Sequence, residues 1–366
     1  MIGTDEVDHT IPVAQQQIRQ PGALPPVSAS PVPSAGGAAS GTNSWMGNTS
    51  ITSGLVAGAI GGLAGGILAE VIGFTDWNAE TEGGTKVLAG LWIGFVGACI
   101  GFFLTAWEGF QAGSSQRAWR NGVVGLAIGA GAGFMAGWLG WHFLIQQLED
   151  LGREFENNPF MTEGEAISKF NNTMRLVFAM LFGLLGVFVG GGIGLRQSSK
   201  KAVNGVIGGS IGGAIAGLIF YALWDPLSEI LRGSEAPSDP TLELILAFTL
   251  TGLAVGLGIG LVDRLRRDAW LMLTAGPMAG KEFILYKPET VVGSDFQVDV
   301  VLVKDRAVTP RHFVLRRDGS GTVLAVTPGA AVSVNGTPVT NHRLRPGDQI
   351  SVGSSVINYL ERAATA

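Results

Sequence analysis

Apolar residues fall into three regimes along the chain. Residues 1–45 hold no apolar run, residues 51–266 hold six long ones, and from about 268 short apolar runs alternate with turn-forming clusters. The six long stretches lie at about 51–73, 87–107, 122–145, 175–195, 202–223 and 243–262. Each is close to the ~20 residues a helix needs to cross the hydrocarbon of a bilayer. The fifth carries Gly205, Gly209, Gly213 and Gly217, a spacing that places all of them on one stripe of a helix. Interior glycine weakens a helix in water by about 1 kcal/mol relative to alanine. In lipid the backbone must satisfy its own hydrogen bonds, so the segment is helical anyway, and the stripe lets a second backbone come close.

Related stripes recur in the other stretches: Gly54, Gly58 and Gly62; Gly97 and Gly101; Gly125, Gly129 and Gly133; Gly186, Gly190 and Gly194; Gly252, Gly256 and Gly260. These positions are the candidate helix-packing residues. Segments 54–62, 122–130 and 205–213 align without gaps, which brings Ile60, Ile128 and Ile211 into register. The pattern predicts a transmembrane α bundle over residues 46–267, built from three glycine-rich helical hairpins that enter the membrane from the same side.

Flanking charge sets the orientation. Arg117 and Arg120, then Arg196, Lys200 and Lys201, then Arg264, Arg266 and Arg267 follow the even-numbered stretches. The alternate loops are acidic: Asp76, Glu80 and Glu82; Glu149, Asp150, Glu154, Glu156, Glu163 and Glu165; Asp225, Glu229, Glu235 and Asp239. Basic residues stay on the cytoplasmic side, so both termini are predicted to be cytoplasmic, as in a multi-pass protein of a bacterial inner membrane. Glu70, His142 and Glu243 stand toward the ends of their spans and are expected to snorkel to the interface. The second external loop, about 146–174, is expected to carry a short surface helix. Residues 1–45, rich in Pro, Ser, Ala and Gln, predict a disordered cytoplasmic arm rather than a cleaved leader. Its Thr4 and Thr10 are candidate phosphorylation sites.

Composition agrees with the lipid reading. Of 366 residues 46% are hydrophobic and only 14% charged, and 56 are glycine with no Gly-X-Y period. A net charge of −5 without basic clusters gives no reason to expect nucleic acid as a partner. The lone Cys99 excludes a disulfide framework within the chain, and the scattered His9, His142, His312 and His342 offer no metal-ligand spacing. Gly276-Pro-Met-Ala-Gly-Lys281 is one residue short of a phosphate loop and lacks its Ser/Thr. No catalytic constellation appears, and a non-enzymatic protein without metal or cofactor is expected.

Residues 268–366 read as a small all-β sandwich, with strands expected at 283–286, 298–302, 313–316, 323–326 and 356–360. Several motifs follow in order: Gly276-Pro-Met-Ala-Gly-Lys-Glu-Phe283, Val292-Gly293, Asp299-Val-Val-Leu302, Thr309-Pro-Arg-His312, Val334-Asn-Gly-Thr-Pro-Val339 and Leu344-Arg-Pro-Gly-Asp-Gln-Ile350. On these motifs, about 274–362 resembles a forkhead-associated (FHA) domain. The resemblance implies recognition of phosphothreonine peptides by loops at one end of the sandwich, where cations and donors surround a dianionic phosphate. It makes Ser294, Thr309, Arg311, Lys304 and Arg306 the candidate phosphopeptide contacts, and Gly293, His312, Asn335 and Gly336 structural positions. Two departures stand out. The Arg expected after Gly293 is Ser294, and the Asn-Gly expected five residues ahead of Asn335-Gly336 is Ala330-Ala331.

The leading expectation is a membrane-anchored module that docks a cytoplasmic protein, with a phosphothreonine protein of Ser/Thr kinase signalling as the implied partner. Two alternatives stay open: a channel, transporter or lipid-handling bundle regulated by the module, and a structural assembly in which the glycine stripes join copies into a homo-oligomer.

Overall fold

The structure is a computed structural model that describes residues 49–73, 81–111, 114–232, 241–303, 305–319 and 321–362. The polar arm 1–45 lies outside the described residues, as do Lys304 and the loop acids Asp76, Glu80, Glu235 and Asp239.

Six helices come first: α1 (Thr49–Ile72), α2 (Glu82–Gln111), α3 (Ser115–Asn157), α4 (Glu163–Leu195), α5 (Ser199–Arg232) and α6 (Thr241–Leu265). All six are long and apolar enough to cross a membrane. Each packs against its two neighbours in a closed ring, α6 returning to α1, and α2, α4 and α6 also touch one another across the centre. That centre is apolar, with Val96 and Ile100 of α2, Phe182, Leu185 and Val189 of α4, Phe220 of α5 and Phe248 of α6 all buried. Phe182 meets Phe220 and Phe248 edge-on, at centroid separations of 6.1 and 6.5 Å. Leu63, Ile67, Leu126, Ile211 and Leu218 point outward from the odd helices, as the lipid-facing side of a bundle requires.

The glycine stripes decide which helices approach most closely, and they do so across the hairpin borders. A methyl group added to Gly58 would collide with the carbonyl of Gly252, and one on Gly54 with that of Gly256, so α1 is zipped to α6. Gly97 opposes Gly129 and Gly101 opposes Gly125, joining α2 to α3, while Gly186 opposes Gly209 and Gly190 opposes Gly205, joining α4 to α5. One step further along each zipper a glycine meets a larger residue: Gly62 against Phe248, Gly133 against Ile93, Gly213 against Phe182. Gly217 continues onto Phe178, and Gly194 closes on Ala202. The gapless alignment pairs Gly54 and Gly205 with Gly122, but Gly122 meets the ring of Phe102; Gly125 takes the equivalent place, three residues on. A second set, not evident in the sequence, works within hairpins. Gly208 meets Gly258 and Gly212 meets Ala254 between α5 and α6, and Gly61 meets Ile100 between α1 and α2. The stripes are thus spent on sister helices of the same chain, and Gly260 is buried at the basic end of α6.

Three expectations change. The loop at 146–174 holds no separate surface helix: α3 and α4 themselves run on, leaving only residues 158–162 between them. Charge makes the extension possible, through a capping box of Thr162 with Glu165 and an ion pair between Lys169 and Glu154. At 43 residues α3 is about 65 Å long, roughly twice the hydrocarbon thickness. Glu243 does not snorkel outward. It is fully buried in the first turn of α6, where the helix dipole favours a carboxylate, and Thr241 of the same turn donates to Glu70 at 3.2 Å. The expected strand at 298–302 is only two residues long, because Asp299 turns aside to accept from the Val291 amide at 2.9 Å.

Residues 266–268 lead into the β-sandwich. One sheet holds β2 (Glu282–Ile284), β1 (Ala269–Ala275), β11 (Ser355–Glu361), β10 (Gln349–Val352), β7 (Val332–Val334) and β8 (Thr337–Val339) in that order. The other holds β4 (Val300–Val301), β3 (Glu289–Gly293), β5 (Phe313–Asp318), β6 (Gly321–Val326) and β9 (Asn341–Leu344). Alternating residues fill the space between them, including Leu271, Leu273, Phe313, Leu315, Leu324, Ile350, Ile357 and Tyr359. Two buried aspartates tie loops to this frame. Asp305 accepts from the amides of Ala307 and Ser354 and from the hydroxyls of Ser354 and Ser355, all at 2.8–3.2 Å. Asp348 accepts from the Arg345 amide at 2.8 Å and from Asn335 at 2.9 Å.

Replacing Gly186 with alanine is expected to lower stability by about 1–3 kcal/mol through overpacking. Gly131→Ala, where the added methyl meets nothing within 4 Å, is expected to leave it unchanged or raised. Thermal unfolding of the purified protein in detergent, followed by helical circular dichroism, separates the two. Burial pushes the carboxyls of Asp305 and Asp348 up, but the hydrogen bonds they accept outweigh it and hold both below the ordinary value. Their stabilisation is therefore complete above the ordinary aspartate pKa of ~3.9 and is lost as pH falls through it toward the lower folded values. The sandwich is expected to melt earlier in acid. Asp305→Asn should flatten that dependence when near-ultraviolet circular dichroism is followed from neutral pH downward.

Candidate phosphopeptide site

The end of β3, the start of β5 and the β6–β7 loop meet at one corner of the sandwich. Gly293 closes β3 with no room for a side chain, since a Cβ there would strike the Pro310 carbonyl. The amides of Ser294 and Asp295 donate to the carbonyls of Thr309 at 3.0 Å and Pro310 at 3.2 Å, so the β3–β4 and β4–β5 loops are laced together by backbone.

His312 locks the corner. It is 1% exposed, and its Nδ1 accepts from the Thr309 amide at 3.0 Å. That acceptor role places the proton of a neutral ring on Nε2, which stands 3.0 Å from the Ala331 carbonyl and donates to it. One imidazole thereby bridges the β4–β5 and β6–β7 loops, and the Thr327 amide adds a bond to the His312 carbonyl at 3.0 Å. The ring is used on both nitrogens and has a positioning role.

The candidate contacts differ in what they have left to offer. Ser294 donates its hydroxyl to the Val308 carbonyl at 2.9 Å, so its proton is committed to the loop. The Thr309 hydroxyl lies 3.1 Å from both the Arg311 carbonyl and His312 Nδ1; the second already accepts from the Thr309 amide, and the hydroxyl donates to the first. Arg311 and Arg306 are exposed, and their guanidinium groups have no ion-pair partner among the described residues. The Asp295 carboxylate accepts from the Gln297 amide at 2.9 Å within its own loop. Lys304 lies outside the described residues. The corner thus offers exposed guanidinium charge on a frame whose hydroxyls donate to loop carbonyls.

Asn335 and Gly336 are not at this corner. They form the tight turn between β7 and β8, with φ of 51° and 80°, a conformation that asparagine and glycine adopt most readily. The Asn335 side chain donates to Asp348 at 2.9 Å and accepts from the Gln349 amide at 3.0 Å, fastening the turn to β10. Asp305 was not singled out from the sequence, although it holds the β4–β5 loop to the β10–β11 turn. Its signal was the Ser354-Ser355 pair following Gly353, which supplies donors only once the two loops meet.

Comparison with known proteins agrees on the same part of the chain. Residues 272–362 match the family model described as the inner membrane component of T3SS, cytoplasmic domain. The oxoglutarate dehydrogenase inhibitor of Corynebacterium diphtheriae is 34% identical over 92 residues, which are 25% of this chain and 64% of that protein. Among solved structures, an FHA domain studied for phosphothreonine-dependent interactions is 27% identical, covering 26% of this chain and 97% of its own at a TM-score of 0.24. The cytoplasmic domain of the T3SS sorting platform protein PscD from P. aeruginosa is 23% identical, covering 27% of this chain and 83% of its own, also at 0.24. The C-terminal quarter of this chain is therefore an FHA-like domain similar to the cytoplasmic domain of T3SS inner membrane components, carried on six long apolar helices.

Proposed function

We propose that this is a non-enzymatic, membrane-anchored docking protein of a bacterial inner membrane, whose FHA-like domain captures a cytoplasmic protein by a phosphothreonine. The observation that carries the reading is the corner locked by His312, which presents Arg311 and Arg306 beside Thr309 on a frame laced by backbone. Charge-assisted bonds from guanidinium to phosphate are the strongest interactions such a surface offers. With the Ser294 and Thr309 hydroxyl protons committed to loop carbonyls, affinity rests on the arginines and falls below that of a site with an additional arginine after Gly293. The name of the oxoglutarate dehydrogenase inhibitor, a relative over this same part of the chain, supports a protein-binding role.

The bundle serves as the anchor in this reading. Its centre is filled by Phe182, Phe220 and Phe248, and its zipper glycines face neighbouring backbones. Packing accounts for both features, and neither provides a path for a solute.

With the full-length protein in nanodiscs, phosphothreonine peptides are expected to be captured in preference to their unmodified counterparts. Arg311→Ala should weaken that capture by roughly 10- to 100-fold, the equivalent of about 1.5–3 kcal/mol. Equal capture of modified and unmodified peptides would sink the phosphate-dependent reading while leaving docking itself in place.

A further inference from the structure

A chamber of about 420 Å³ lies where the basic end of the bundle meets the sandwich. All six helices contribute to its wall, and β2, β3, β4 and the loops around them form its roof. Its volume is that of a small-molecule site. It lies apart from the corner built around His312, and nothing in the preceding functional reading uses it.

The charges around it do not cancel. The acids that line it are Asp263, Glu282 and Asp299. Each already has a cation: Lys201 stands 3.6 Å from Asp263, Arg267 2.5 Å from Glu282, and Lys287 2.6 Å from Asp299. Asp263 also accepts from Asn204 at 3.2 Å. Arg117, Arg120 and Arg196 line the same chamber and have no carboxylate partner among the described residues. Arg196 is aimed by Asn121, whose side-chain oxygen accepts from it at 2.9 Å. Guanidinium groups without a carboxylate partner around a partly enclosed space describe a site that suits a polyvalent oxyanion.

We propose that this chamber binds a phosphate-bearing anion, held by Arg117, Arg120 and Arg196 at the mouth of the bundle. Lysine would serve as well as arginine for holding the topology of the helices, because that depends on charge alone. Phosphate recognition depends on the planar fork, so the two roles separate on Arg→Lys substitution. The same chemistry is available from a soluble phosphate compound and from an anionic lipid headgroup.

The test uses the full-length protein in two kinds of nanodisc. Phosphatidylcholine discs are titrated with inorganic pyrophosphate, with chloride at matched ionic strength as the control. Discs containing phosphatidylglycerol are measured without any soluble phosphate. A saturable rise in unfolding temperature is expected in at least one arm. R117K/R120K/R196K should weaken it about tenfold or abolish it without changing the unfolding temperature in phosphatidylcholine alone. A response to pyrophosphate assigns a soluble ligand, and a response to phosphatidylglycerol alone assigns a headgroup. If the triple variant does not assemble, R117K alone is measured and should weaken the response in the same direction. No response in either arm, or an undiminished response in the lysine variants, overturns the proposal.

Discussion

Contact between backbones, without side chains between them, is the constraint on which the bundle rests. Gly58 against Gly252, Gly101 against Gly125 and Gly190 against Gly205 are three versions of it. Lipid supplies no hydrophobic force to drive helices together, so close packing of main chain on main chain must do so. Once α1 is seated on α6, α2 on α3 and α4 on α5, the remaining ring contacts follow, and the even helices are brought together around a shared aromatic centre. A polar zipper would have brought donors into hydrocarbon. Glycine achieves the approach with no group to satisfy, and lipid removes the water that would otherwise compete for its backbone.

The sandwich is bonded to the bundle. Arg362 donates to the Leu265 carbonyl at 2.8 Å and so caps α6 with a cation, where the helix dipole favours one. Lys200 pairs with Asp268, and Lys201 lies over the Tyr286 ring at 4.9 Å from its centroid. Arg267 stacks on Trp270 at 3.7 Å while pairing with Glu282. Lys200, Lys201 and Arg267 belong to the basic flanks of the helices, so those charges also seat the sandwich.

Much of this was legible in the sequence, for identifiable reasons. Six helices were visible because lipid demands long apolar runs, and the sandwich was visible because its turns carry Gly, Asn and Asp in fixed order. What each stripe faces was not legible. Helical periodicity places Gly205 and Gly209 on one side without saying which neighbour covers them, and glycine has no side chain whose chemistry names a partner. The gapless alignment failed at Gly122 because a repeat can slip by nearly one helical turn and keep its apolar character. Short strands such as β7 and β10 were missed because their apolar runs are too brief to show a period. At the candidate corner, His312 and Gly293 were singled out by motif order, but the inward turn of the Ser294 hydroxyl depends on where the Val308 carbonyl falls, and only the folded chain fixes that.

The junction of α6 with β1 has a mechanical meaning. Only residues 266–268 separate a helix held on three sides from a strand paired on both edges. Such a joint transmits rotation. If the bundle turns, the sandwich turns with it, and the corner around His312 keeps a set position relative to α6. A flexible tether would let a bound protein sample many attitudes. Here the attitude of the sandwich follows that of α6, because three residues are too few to let it turn independently.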